Sequence, residues 1–207
     1  MEHLLHQLEI IESELSTDRR NPELWNDHGV GLHLLGRYRE AAESFRTAIK
    51  LKKTNPTYHY NLANSYMELN EIENAISCYL EALEHQPNHI PSLNNLADAY
   101  ELTGQPHKAH ELFHYLTRIQ PDDPLSHFNL GNYLLRQNNH IEAVKCYEKT
   151  IHLDKNFTDA YYNIAWVLKS AGAIHEAVSY AKKGLALDPE HEDLQILLVE
   201  LESPDQG

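Results

Sequence analysis

Asn61-Leu62-Ala63 returns as Asn95-Leu96-Ala97, Asn129-Leu130-Gly131 and Asn163-Ile164-Ala165, each copy 34 residues after the one before. A degenerate copy, Asp27-His28-Gly29, lies one interval earlier, so a polar, apolar, small triplet marks five successive segments. A fixed period of this length without insertions points to repeated supersecondary units that stack on their neighbours.

The units begin at Pro22, Pro56, Ile90, Pro124 and Thr158. Proline in the first turn after Asn21, Asn55 or Asp123 is a helix start, because proline lacks only an N–H that the first turn leaves unpaired and the preceding side chain caps another. Two runs of helical periodicity in each unit are separated by Gly36, Asn70, Gly104, Asn138 or Gly172, residue types that tolerate a left-handed helix C-cap. Each unit therefore reads as a helical hairpin.

The second helix of every unit has an alanine in register, at Ala41, Ala75, Ala109, Ala143 and Ala177. Facing the small residue of the triplet, it is expected to let the two helices cross closely. An aromatic follows four residues on, at Phe45, Tyr79, Phe113 and Tyr147, with Ala181 the exception, and is expected to fill the space between hairpins. Then come Ala48, Ala82, Leu116, Thr150 and Gly184, and the units close on Pro87, Pro121 and Pro189 or on Lys53 and Lys155.

These residues resemble the tetratricopeptide repeat family over residues 22 to 191; Trp25, Gly29, Gly36, Ala41, Phe45 and Ala48 make the first unit a close match. Departures are His28 in place of a leucine, the two closing lysines, and Gly184. The expected fold is all-α, an α-α superhelix or solenoid of five helix-turn-helix repeats at 22–55, 56–89, 90–123, 124–157 and 158–191. A capping helix is expected at each end. In 1–21, Leu4, Leu8, Ile11 and Leu15 share one helical face; in 192–207, Leu194, Leu198, Val199 and Leu201 are apolar before Ser203-Pro204 stops the helix.

Composition narrows the partner. Seventeen Lys and Arg against 31 Asp and Glu leave a net charge of −14, which repels phosphate backbones and anionic lipid, so neither nucleic acid nor membrane is expected. The start shows no secretory signal and no apolar run is long enough to span a bilayer, so a cytoplasmic location is the default expectation. Cys78 and Cys146 occupy the same place in two non-adjacent units, too far apart for a disulfide, and read as reduced, partly buried thiols.

An array of this kind acts through a face. The apolar stripe of each first helix leaves its second, sixth, ninth and thirteenth positions on another side, which the family resemblance implies is concave. The sixth position is Asp27, Asn61, Asn95, Asn129 and Asn163; the ninth is Val30, Asn64, Asp98, Asn132 and Trp166. An asparagine carries both an amide donor and a carbonyl acceptor, matching a peptide group, so a ladder of them could hold an extended polypeptide by its backbone. Asp27, Asn61, Asn64, Asn95, Asp98, Asn129, Asn132 and Asn163 are the candidate peptide-binding residues. The other reading is that each asparagine bonds a neighbouring helix and sets the spacing between units; the two are compatible.

The triplet register and Ala75-Ile76-Ser77-Cys78-Tyr79 look most like the repeat array of O-linked N-acetylglucosamine transferases. That resemblance implies that Asn61, Asn95, Asn129 and Asn163 bind substrate backbone. The catalytic domain of that family has no counterpart here, so the chain reads as a non-enzymatic interaction scaffold, as the recognition module of a larger glycosyl- or methyltransferase, or as a repeat protein that self-associates through its capping helices. Another mode of the repeat family, a basic clamp on a C-terminal carboxylate, has no match, since the fifth positions are Asn26, Tyr60, Asn94, Phe128 and Tyr162. The face instead has Glu23, Asp27, Glu68, Asp98, Glu101 and Asp159 against Arg136 and Lys169, which predicts a ligand with basic residues toward the N-terminal end. Tyr60, Phe128, Tyr162 and Trp166 could stack on ligand side chains or serve packing.

No cofactor or metal is expected. Of His107, His110 and His114, only the last two have the spacing for one metal, and no Cys pair or HExxH accompanies them. His110 stands where other units carry Ile76, Val144 and Val178, which predicts partial burial. No phosphate loop or Gly-x-Ser-x-Gly turn is present.

Overall fold

The computed structural model describes residues 2–203; Met1 and residues 204–207, which include the predicted stop at Pro204, lie outside the described residues. Twelve α-helices account for the elements among them: α1 (Glu2–Thr17), α2 (Pro22–Leu34), α3 (Tyr38–Leu51), α4 (Pro56–Glu68), α5 (Ile72–His85), α6 (Ile90–Leu102), α7 (Pro106–Ile119), α8 (Pro124–Arg136), α9 (His140–Leu153), α10 (Thr158–Ser170), α11 (Ile174–Leu187) and α12 (Glu192–Glu202). The chain divides into two compact units, one up to Leu112 and one from Phe113.

Helix starts and stops follow from local chemistry. Asn21 Oδ1 accepts from the backbone N–H of Glu23 at 3.0 Å, Asn55 Oδ1 from that of Thr57 at 3.0 Å, and Asp123 Oδ2 from that of Ser126 at 2.9 Å. Each neutralises one of the orphan donors of a first turn. His89 and Phe157 provide no side-chain cap for α6 and α10. At the other end, the residue that reverses the chain has positive φ in every hairpin: Gly36, Asn70, Gly104, Asn138 and Gly172. With Asn70 at φ 58° the N–H of Glu71 reaches back to the carbonyl of Tyr66 at 2.8 Å, a closure that satisfies a terminal carbonyl and starts α5 on the return path.

In the N-terminal unit, α2 with α3 and α4 with α5 form antiparallel pairs, α3 packs on α4, and α5 on α6. Leu32, Phe45, Leu62, Ala63, Tyr79 and Leu96 make a continuous core. Helix α1 closes that core on α2 with Leu8 and Leu15 buried, so the N-terminal helix does cap the array as expected. In the C-terminal unit α8–α9 and α10–α11 repeat the pairing, and α12 packs on α10 and α11.

Tertiary packing adds to the expected roles of the small and aromatic residues. At Gly29 and Gly131 the small residue of the triplet lies against the aromatic of the second helix. A Cβ on Gly29 would lie 2.6 Å from the Phe45 ring, and one on Gly131 2.6 Å from the Tyr147 ring. The aromatics therefore lie inside their own hairpins as well as between hairpins. In α12 the buried residues are Leu194, Leu197 and Leu201, while Val199 is 69% exposed, because the contact stripe runs i, i+3, i+7. Gly184 has a role there: a Cβ on it would meet Leu194 Cδ1 at 2.6 Å, so the missing side chain is what admits the cap.

Candidate peptide-binding face

Within each unit the first helices present their sixth and ninth residues on a face that is half-buried to exposed. Asn61 Nδ2 donates to Asn26 Oδ1 of the preceding repeat at 2.8 Å. Asn95 Nδ2 donates to Asn64 Oδ1 at 2.9 Å, and in the C-terminal unit Asn163 Nδ2 donates to Asn132 Oδ1 at 3.0 Å. The inter-repeat reading of the asparagines is thus realised geometrically at these positions. One N–H of each of these amides, expected to be open to a ligand, is spent on the preceding repeat.

Sequence reasoning missed a third member of each cluster. The Tyr79 hydroxyl donates to Asn64 Oδ1 at 2.6 Å and lies 3.3 Å from Asn95 Nδ2; the Tyr147 hydroxyl donates to Asn132 Oδ1 at 2.9 Å. Both tyrosines are fully buried, and burial pushes their phenols well above the ordinary range, which keeps the proton on the donor. The signal was present: asparagine occupies the ninth position in the two units whose aromatic is tyrosine, whereas Phe45 and Phe113 accompany Val30 and Asp98.

What each cluster leaves over is complementary. Asn64 has spent Oδ1 twice and keeps its Nδ2 donor, while Asn95 has spent Nδ2 and keeps its Oδ1 acceptor. Asn132 and Asn163 stand in the same relation. At the first junction the spare donor is used locally, since Asn26 Nδ2 reaches Asp27 Oδ1 at 3.3 Å. Asn129 lies half-buried on the same face of α8.

Asn64 and Asn95 open onto a cleft of about 360 Å³ that His33, Met67, Glu68 and Asp98 also line. His33 Nδ1 lies 3.1 Å from Ser65 Oγ; burial lowers its pKa, and Glu68 nearby acts in the opposite sense. His89, 2.8 Å from Ser92 Oγ, is also pushed down by burial. Both rings are therefore held neutral in the fold. Below about pH 6.5, the ordinary histidine value, the unfolded chain takes up protons more readily, so the stability these two contribute is full above that pH and lost as pH falls. A replacement of both by Gln is expected to flatten the fall in urea midpoint between pH 7 and pH 5 relative to the native chain.

Other expected groove residues divide. Glu23 lies 3.2 Å from Lys52 Nζ, Asp159 3.1 Å from His191 Nε2, and Lys169 pairs with Glu200, so part of the expected field is met within the chain. Tyr60 packs on Tyr79 and His89, Phe128 on Tyr147 and Phe157, and Tyr162 stacks on His191, whereas Trp166 is 41% exposed. His110 is exposed although Ile76, Val144 and Val178 are half-buried, a correction to its expected burial. Among the described residues no three His, Cys, Asp or Glu side chains converge on one point. Cys78 and Cys146 are free and half-buried, and burial raises their pKa to about 12 and about 11, so both stay protonated at neutral pH. No helix of the described residues is long and apolar enough to cross a membrane.

Family models described as tetratricopeptide repeat match residues 56–89, 78–111, 124–157 and 158–191, and one described as TPR repeat matches 32–70. The chain belongs to the tetratricopeptide repeat family. This repeat protein is 26% identical over 200 residues to the protein O-mannosyl-transferase TMTC3 of Homo sapiens, covering 88% of this chain and 22% of the relative. It is 27% identical over 196 residues to the TPR repeat-containing protein MJ1428 of Methanocaldococcus jannaschii, covering 87% and 33%. It thus spans between about a fifth and a third of the length of these relatives. Among solved structures, the C-terminal part of a TPR repeat-containing protein from Cytophaga hutchinsonii matches with a TM-score of 0.77 at 16% identity, over 96% of this chain and 80% of that one. YrrB, a TPR protein with an unusual peptide-binding site, matches with a TM-score of 0.65 at 16% identity, over 90% and 96%. These likenesses establish the all-α repeat fold.

Proposed function

We propose that this tetratricopeptide repeat protein is a non-enzymatic scaffold that holds an extended segment of a partner protein against the face of its first helices. Its repeats are read as 22–55, 56–89, 90–123, 124–157 and 158–191, with 1–21 and 192–207 as caps. The reading rests on the residual hydrogen-bonding capacity of the asparagine pairs. Asn64 Nδ2 and Asn95 Oδ1 offer a fixed donor and acceptor side by side, as do Asn132 Nδ2 and Asn163 Oδ1. A peptide group presents the complementary carbonyl and N–H. Because the spent half of each amide is locked to the next repeat, the other half is oriented before any ligand arrives, which reduces the ordering cost of binding. Each bond nets only about 0.5–1.5 kcal/mol, so the ligand must engage several of Asp27, Asn61, Asn64, Asn95, Asp98, Asn129, Asn132 and Asn163.

Changing the asparagines would disturb stacking, so the ligand is the better place to test this. Random displayed dodecapeptides are selected on the full chain, and an enriched peptide is resynthesised with each backbone N–H methylated in turn. Methylation at some positions should weaken binding at least tenfold with side chains unchanged. No enrichment, or full tolerance of methylation at every position, refutes the backbone clamp.

A second reading, the recognition module of a larger transferase, is favoured by the likeness to the O-mannosyl-transferase, of which the chain spans about a fifth. Coding sequence for a transferase domain in the same transcript would establish it; a transcript encoding only the repeats would exclude it.

A further inference from the structure

The peptide face of the N-terminal unit is not uniform. Between α1 and α2 lies an apolar groove of about 450 Å³, lined by Leu4, Leu8, Ile11, Val30 and Leu34 with Asp27 at its side. Leu34 is 66% exposed, Ile10 47% and Val30 37%, an apolar surface left uncovered by the described residues. Val30 and Leu34 also line a small cavity of about 90 Å³ with His33, Asn61 and Asn64. His33 and Asn64 in turn line the 360 Å³ cleft with Glu68, Asn95 and Asp98. Shared walls make the three cavities one track: apolar at the N-terminal end, amide in the middle, acidic beyond. Among the described residues, no Lys or Arg lines any of the three.

We infer that this track reads a two-part signature in the bound segment, an apolar side chain seated between α1 and α2 and a Lys or Arg seated against Glu68 and Asp98. The inference rests on the peptide-scaffold reading and names its ligand class. Adjacent helix axes lie about 8–10 Å apart, so the two seats are separated by roughly 15–20 Å, or four to six residues of extended chain. Charge complementarity selects the occupant. The track has carboxylates at Asp27, Glu68 and Asp98, and a net charge of −14 on the chain favours approach of a cation. A second copy of this acidic chain would meet the opposite condition.

The probe is a fluorescein-labelled Gly/Ser/Thr dodecapeptide with a Leu pair and an Arg pair four residues apart, titrated by anisotropy against the full chain. Replacing the Leu pair by Ser, or the Arg pair by Glu, should each weaken binding at least tenfold. Glu68→Gln should weaken the parent peptide three- to tenfold, flatten its salt dependence, and strengthen whatever binding the Glu peptide retains, since it removes a like charge. Leu34→Ser should weaken the parent and leave the Ser peptide unaffected. Both side chains are exposed, and circular dichroism checks that the variants remain folded. The signature is overturned if the parent peptide does not bind or the variants treat all peptides alike. It is also overturned if the chain forms a dimer that Leu34→Ser dissolves. N-methylation of the same peptide separates the two proposals. Side-chain dependence without a methylation effect leaves the signature standing and removes the clamp, and the converse removes the signature alone.

Discussion

Asn64→Ala is expected to destabilise the protein by about 2–4 kcal/mol, far more than loss of a half-buried surface amide would suggest. Asn64 Oδ1 accepts from the Tyr79 hydroxyl at 2.6 Å and from Asn95 Nδ2 at 2.9 Å, so its removal strands the phenol of a fully buried tyrosine and loosens the amide that joins α4 to α6. Tyr79→Phe removes one donor but leaves Asn64 bonded to Asn95, and is expected to cost only about 1 kcal/mol. In the double variant no phenol remains to be stranded, so its loss should fall short of the sum by about 1 kcal/mol or more. Urea midpoints of the two singles and the double measure this directly. Simple additivity, or an Asn64→Ala chain as stable as the parent, would show that the cluster is not a unit. The first repeat shows the apolar solution to the same problem: Val30 and Phe45 stand in place of Asn64 and Tyr79, and Asn61 is served by Asn26 instead.

The second large effect is in the core. Phe45→Ala is expected to cost about 3–5 kcal/mol, because the ring fills the space that Gly29 leaves open and neither helix backbone can follow an alanine inward. Gly29→Leu alone should also destabilise, by about 1–3 kcal/mol, since its Cβ would stand 2.6 to 2.9 Å from three carbons of that ring. Combined, the two exchange bulk across the same interface, and the double variant should be more stable than Phe45→Ala. Thermal and urea unfolding followed by helical circular dichroism decides it. Strict addition of the two losses would mean that Phe45 and Gly29 do not share one space.

Both predictions concern side chains whose partners no local pattern names. The helices were legible because their signals are local. Proline after Asn21 or Asn55 starts a helix, and a glycine or asparagine that accepts positive φ ends one, each within a few residues. The period of 34 residues then set out the same two-helix unit five times along the chain, and apolar spacing placed Leu8 and Leu15 on the buried side of the N-terminal cap.

The asparagine register was legible too, as a row of polar residues that the apolar stripe does not require. Which half of each amide is available was not. That depends on atoms 31 to 35 residues apart meeting within about 3 Å, an outcome of how one hairpin packs on the next. The same holds for Gly29 beneath Phe45 and for Gly184 beneath Leu194. By itself the sequence determined the repeat, its helices, its caps and the row of candidate residues, because short-range hydrogen bonding and hydrophobic periodicity are written in consecutive positions. Only the tertiary structure decided that Asn64 keeps a donor and Asn95 an acceptor, and that an apolar groove runs into an acidic cleft beside them. Close packing between helices distant in sequence assigns those partners and leaves those spaces open.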